Sequence, residues 1–224
     1  MKGIYINLDY RVDRRNHMER EILGRDFFKG VERMSAIQHV DGAIGCGLSH
    51  VRALQQLYKG ADKGTDKGDK KGDKKDDCVI VLEDDFMVFD EEALAQFISD
   101  FVRIRENDSW NIICLTPRGK TGFETNEMTS AGFHRIYDNQ TTTGYIVKKE
   151  MIPHLCKNLK EAIVLQMKGG DKNVCSIDQY WKRLQYDHPF YYYGKVFAGQ
   201  LPGWSDIEGR LVDYNDRFRN QSFY

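Results

Sequence analysis

Three consecutive carboxylates, Glu83, Asp84 and Asp85, follow directly on the apolar run Val79 to Leu82. Adjacent carboxylates repel one another, which costs stability unless a cation relieves it, and hard oxygen ligands suit Mn²⁺ or Mg²⁺. Such cations commonly hold substrate phosphates. The competing reading is a polar turn whose solvated acids cap a helix predicted over 91–104. Near the N-terminus, Arg11 and Arg14 stand among Asn7, Asp9 and Asp13. A guanidinium offers several coplanar donors to a phosphate or a base edge, although salt bridges to Asp9 and Asp13 would use the same donors. Ser49 and His50 follow a glycine-rich stretch, Asp41-Gly-Ala-Ile-Gly-Cys-Gly-Leu. Glycines before a helix allow close backbone approach to a ligand, and the helix N-terminus favours negative charge, while His50 also reads as a packing residue.

These residues need elements to hold them. Val79 to Leu82 is apolar without alternation, which predicts a strand buried on both faces with the acids at its C-terminal end, where open α/β sheets bind ligands. Gly3 to Leu8 reads as the first strand, and Asp13 as the cap of a helix over 14–23. A second strand is expected within 31–40 and a helix over 48–58, with Leu48, Val51, Leu54 and Leu57 on one face. Residues 60–77 repeat Lys, Asp and Gly without a large apolar side chain and read as a flexible insertion. Further strands are expected at 110–115, 133–137, 143–147, 190–193 and 196–198, with Thr116-Pro-Arg-Gly-Lys-Thr-Gly as a polar exit. Helices are expected from Lys149 onward, with Pro153 in the first turn, and from Ile177, with Ser176 or Asp178 near its cap. Residues 200–210 read as a long polar loop. The order fits a Rossmann-like half followed by an acceptor-binding half within one domain, 1–224.

Length and composition narrow the class. The chain has 224 residues, 41% hydrophobic, with Lys+Arg 33 against Asp+Glu 34 and a net charge of -1. One substantial core is expected, and nothing in the charge balance attracts nucleic acid or an anionic membrane wholesale. Five scattered cysteines without metal-ligand spacing suggest free thiols in a reducing compartment, and Cys46 reads as a small buried thiol rather than a nucleophile. No apolar run is long enough to span a bilayer and no leader is evident, so a cytoplasmic or peripheral location is expected.

Taken in order, Tyr5-Ile-Asn-Leu-Asp-Tyr-Arg-Val-Asp-Arg-Arg, Gly45-Cys-Gly-Leu-Ser-His, Val81-Leu-Glu-Asp-Asp, Thr143-Gly-Tyr-Ile-Val and Ile177-Asp-Gln-Tyr resemble glycosyltransferase family 25. That family holds bacterial lipopolysaccharide and animal procollagen galactosyltransferases. The resemblance spans nearly the whole chain, and the Lys/Asp/Gly insertion is the chief departure; a stand-alone bacterial or viral form is implied, the latter acting in a host cytoplasm. It implies a GT-A-type α/β sandwich with a mixed central sheet flanked by helices, and inverting transfer of a hexose from a UDP-sugar, UDP-galactose above glucose, to a glycan or a hydroxylysine-type hydroxyl. It also implies Mn²⁺ (or Mg²⁺) held by Glu83 and Asp85, with Asp84 reaching the nucleotide-sugar. Asn7, Asp9, Arg11, Arg14, Ser49 and His50 would hold the nucleotide, and Thr143, Gly144 and Tyr145 would line the sugar pocket.

Inverting displacement needs a base on the acceptor side to take the hydroxyl proton. Asp178 is the first candidate, against a plain helix cap, and Asp206 the second. The aromatic run Phe190 to Tyr193 with Trp204 could stack on an acceptor, or form core or a homodimer contact. Two rivals share many of these residues: a nucleotidyltransferase attacking the α-phosphate, and a catalytically silent nucleotide-sugar-binding protein.

Overall fold

The computed structural model describes residues 1–62, 77–107, 109–122 and 127–219. The strands are β1 (Gly3–Asn7), β2 (Val31–Ser35), β3 (Cys78–Glu83), β4 (Phe86–Val88), β5 (Ile112–Cys114), β6 (Arg118–Gly122), β7 (Phe133–Gln140), β8 (Gly144–Lys148), β9 (Phe190–Tyr193), β10 (Ala198–Gln200), β11 (Gly203–Ser205) and β12 (Arg210–Val212). The α-helices are α1 (Val12–His17), α2 (Gly42–Asp62), α3 (Glu91–Ile104), α4 (Glu127–Ser130), α5 (Ile152–Met167), α6 (Lys172–Cys175), α7 (Ile177–Tyr180), α8 (Leu184–Asp187) and α9 (Asn215–Arg219).

Eight strands form one sheet in the order β2-β1-β3-β8-β5-β9-β7-β6. Its first three strands are parallel, with Gly3 opposite both Val31 and Ile80. Beyond them β8 runs antiparallel to β3 and β5, while β5 and β9 are parallel. The expected α/β sandwich with a mixed central sheet flanked by helices is therefore present. Strand β3 explains the unalternated apolar run. Val79 and Val81 enter one core with Leu54 of α2 and Leu155, Leu159 and Ile163 of α5. Ile80 and Leu82 enter the other with Phe97 and Phe101 of α3. A strand covered on both faces has no polar face to show.

Several boundaries differ from expectation. Helix α2 begins at Gly42, so Gly45 and Gly47 lie inside it and not in a loop before it. Close packing selects them: a Cβ on Gly45 would stand 2.7 Å from the Ile37 carbonyl oxygen, and one on Gly47 2.9 Å from Ile163. Ser49 and His50 thus fall in the helix body, away from its first turn. Residues 60–62 continue α2, and the remainder of the expected insertion, 63–76, lies outside the described residues. Asp13 does not cap α1; it is bound by Arg11, at 3.1 and 2.9 Å, and α1 gives way to a π-helical stretch, Met18–Ile22. The exit after β5 turns into strand β6, and 200–210 holds most of the β11–β12 antiparallel pair. Phe190 to Tyr193 are buried as β9 within the sheet, which makes them core, while Trp204 is 50% exposed.

Candidate active site

The chain turns sharply after β3, because β4 leaves the sheet to pair with β10, Phe86 opposite Gln200. The acids occupy that turn. Glu83 keeps its backbone on the sheet edge through a 2.8 Å bond to the Thr143 carbonyl, and the Asp85 carbonyl accepts from Leu201 N–H at 2.6 Å. None of the three caps the next helix. Asp90 does, accepting from Ala93 N–H at 2.9 Å, so the three acids are not the helix cap that the competing reading expected.

Each acid has a different environment. Glu83 Oε1 accepts from the Thr142 hydroxyl at 2.8 Å and faces His50 Nε2 at 3.2 Å, while the other His50 nitrogen meets the Tyr145 hydroxyl at 3.1 Å. Burial pushes the Glu83 carboxyl up, but the bonds from His50 and Thr142 and the charge of Arg14 outweigh it and hold it below its ordinary range. Asp84 has both oxygens engaged, by Asn7 Nδ2 at 2.7 Å and Arg14 Nη1 at 2.9 Å. Burial still raises it. Asp85, 9% exposed, has Oδ2 3.2 Å from Arg14 Nη1, and its buried Oδ1 has no hydrogen-bond partner. Burial first, and then the charge of Glu83, push its carboxyl up to about 7.

A cavity of about 410 Å³ opens over this turn. Glu83, Asp84 and Asp85 line it together with Arg14, Ser49, His50, Thr143, Asp178 and Asp206. Asp178 lies in the first turn of α7, but it is not a cap: it accepts from Thr141 N–H at 3.3 Å, and burial raises its pKa. Thr141 has φ 82°, the one positive-φ non-glycine among the described residues. A β-branched residue there is strained, and in that conformation its N–H meets Asp178. Its hydroxyl is fastened to the Thr116 carbonyl.

Other expected site residues have different tasks. Asn7 is buried and holds Asp84, with Arg33 Nε on its own oxygen at 2.9 Å. Asp9 pairs with Arg33 at 2.5 Å, outside the cavity wall. Arg11 ties Asp13 to Asp206, the latter at 2.8 Å, so the second candidate base is already paired. Ser49 donates to the Gly45 carbonyl and accepts from Ile37 N–H, and so fastens the strand exit to α2. Gly144 and Tyr145 do not line the cavity: a Cβ on Gly144 would stand 2.7 Å from the Phe86 ring, and Tyr145 is buried against His50 and Trp181. Thr141, Thr142, Arg118 and Tyr214 line the wall without having been singled out in the sequence. A larger cavity, about 740 Å³ between α2 and α5, is mostly apolar and carries one carboxylate, Glu161; it lies away from the acid turn.

The acid turn fits a divalent cation on one observation in particular: Asp85 Oδ1 is a buried oxygen without a donor. Glu83, expected to share the ion, has Oε1 already committed to His50 and Thr142. The Sγ, ring and carboxylate atoms of Cys46, His50 and Glu83 lie within 4.8 Å of one another, an arrangement that could suit a softer ion. Burial, with Glu83 nearby, pushes the Cys46 thiol well up, and His50 and Glu83 already satisfy each other. That trio is better described as a hydrogen-bonded pair beside a protonated thiol.

No family model and no curated protein matches the chain. Among solved structures, mannose-1-phosphate geranyltransferase from Thermus thermophilus is similar at 9% identity and TM-score 0.41, over 87% of this chain and 59% of that one. A UDP-glucose pyrophosphorylase in its apo form is similar at 12% identity and TM-score 0.39, over 84% and 66%. The chain thus spans less than two thirds of either structure's length. No helix among the described residues is long and apolar enough to cross a membrane.

Proposed function

We propose that this chain is a metal-dependent, inverting glycosyltransferase that moves a hexose from a nucleoside-diphosphate sugar to an acceptor hydroxyl, as its resemblance to glycosyltransferase family 25 suggests. UDP-galactose is the donor that resemblance favours. The observation that carries the reading is the pairing, in one cavity, of a buried oxygen without a donor on Asp85 with a second, half-buried carboxylate on Asp178.

Asp85 Oδ1 would ligate Mn²⁺ or Mg²⁺, with Glu83 completing the acid wall. A divalent ion bound there supplies charge neutralisation for the departing diphosphate without a proton transfer. Arg14, bound to Asp84, Asp85 and the Trp204 carbonyl, holds the acid wall in place and offsets part of its charge. On the acceptor side, Asp178 takes the hydroxyl proton as the oxygen bonds to the anomeric carbon and the sugar–phosphate bond breaks, its electron pair leaving with UDP. Burial makes Asp178 a stronger base than a solvated aspartate, and the Thr141 N–H keeps it oriented.

Asp178 also distinguishes this reading from nucleotidyl transfer, which would use the same acid turn. A sugar phosphate attacking an α-phosphate is already ionised and needs no carboxylate base, whereas a neutral hydroxyl does. The test is product analysis with nucleotide sugars and Mn²⁺. Release of UDP supports glycosyl transfer, and release of sugar 1-phosphate, with UMP passed to the acceptor or to water, supports nucleotidyl chemistry. Asp85→Ala is expected to abolish metal-dependent turnover. Asp178→Asn should lower kcat by about 10²–10⁴-fold with UDP affinity intact. Normal turnover by Asp178→Asn would remove the base assignment. No metal-dependent turnover of any nucleotide sugar by the unaltered protein would favour a silent binding protein.

A further inference from the structure

Arg118 is a cation the proposed chemistry leaves unused. It opens β6 and lines the cavity, its guanidinium 5.0 Å from the centre of the Tyr214 ring. Its Nε is buried without a hydrogen-bond partner, and no ion pair forms to it among the described residues. Arg14, the other arginine on the wall, is committed to Asp84, Asp85 and the Trp204 carbonyl. A buried N–H without an acceptor is costly, and a guanidinium over an aromatic ring can still offer its N–H edge to coplanar oxygens.

The fold places Arg118 on the stretch of cavity wall that also holds Asp178. In the β6–β7 register Arg118 faces Gln140, the neighbour of Thr141. Thr141 binds Thr116 two residues before Arg118 and also Asp178. The proposed base and Arg118 are therefore joined through one short loop. Leu8 and Ile37 to Val40, also on the wall, belong to the β1 and β2 exits, where the nucleotide is expected.

We propose that Arg118, held by Tyr214, is a specificity-determining residue that binds an oxyanion, carboxylate or phosphate, carried by the acceptor next to the attacked hydroxyl. The inference rests on the glycosyltransferase reading for the word acceptor, but the anion site can be tested without turnover. An alternative role for Arg118 is to offset the charge of the acid wall at long range, which would show itself in metal and nucleotide affinity.

The experiment titrates galactose, galacturonate and galactose 6-phosphate into the full chain by NMR, with Mg²⁺ and UDP present, for the unaltered protein, Arg118→Ala and Arg118→Lys. The expected result is at least tenfold tighter binding of one anionic sugar than of galactose, lost in Arg118→Ala and partly restored in Arg118→Lys. UDP affinity should stay within twofold across all three. The galacturonate and phosphate arms tell which oxyanion is read. Equal binding of neutral and anionic sugars overturns the proposal. A fall in UDP affinity in Arg118→Ala overturns it too, by making the arginine a donor or charge-balancing group. If nucleotide sugars are not turned over yet the sugar acids still discriminate, the activity reading fails while the anion site stands.

Discussion

At the scale of single residues, Asp85 exposes a conflict that the isolated chain does not resolve. Its carboxyl is pushed up to about 7 by burial and by Glu83, and Arg14 compensates only in part. Because the folded pKa is raised, the folded chain binds more protons than the unfolded one between the ordinary aspartate range and pH 7. Stability from this group is full at low pH and is lost as pH climbs through that window. Asp178 is raised in the same sense. Asp85→Asn is therefore expected to be at least as resistant to urea as the parent at pH 8 without divalent ions, with the difference closing at pH 5. Urea unfolding at the two pH values checks this, and a variant clearly weaker at pH 8 would mean that the Arg14–Asp85 pair outweighs the burial of the charge.

At the scale of elements, the chain positions the acids by sending β3 into the sheet and β4 out of it, and α3 then secures the turn from behind. Asp90 caps α3, Phe97 packs on Phe101, Phe133, Tyr193 and Phe197, and Tyr193 donates to Asp100 at 2.7 Å. Asp90→Ala is expected to cost about 1 kcal/mol through the lost cap, and Phe97→Ala about 3–5 kcal/mol through the cavity left in a fully buried cluster. Equilibrium denaturation measures both. Three expected elements stand where the sequence put them: β3, whose unbroken apolar run marks it as covered on both faces, α3 over 91–104 and β9 over 190–193. The start of α2 was not legible, because Gly45 and Gly47 weaken helix propensity locally, and only contact with Ile37 and Ile163 explains them. Strand β6 was not legible either, since Thr116-Pro-Arg-Gly reads as a turn until β7 supplies its hydrogen bonds.

At the scale of the whole molecule, the cavity is assembled from segments that no local pattern links: the β1 exit, the acid turn, the Thr141–Thr143 loop, α7 and the C-terminal β10–β12 region. The acids and Asp178 stood out because their residue types carry chemistry by themselves. Thr142 and Arg118 did not, since a threonine partner for Glu83 and an arginine on Tyr214 have meaning only once distant segments meet. This shared construction has a thermodynamic consequence. A ligand that bridges those segments stabilises the fold by mass action, about 2.7 kcal/mol at a hundredfold excess over Kd. For a chain of this length that corresponds to a rise in Tm of roughly 5–11 °C. On the proposed reading Asp85 Oδ1 gains its missing partner from the ion and the ion gains further ligands from the diphosphate, so Mn²⁺ and UDP together should raise Tm by more than their separate effects combined. Asp85→Ala should erase that excess, EDTA should reverse it, and Asp178→Asn should leave it in place, since that carboxylate serves the acceptor. Thermal melts of the three proteins with each ligand and both decide the matter. An equal UDP shift with EDTA and with Mn²⁺ would place the diphosphate away from the acid turn.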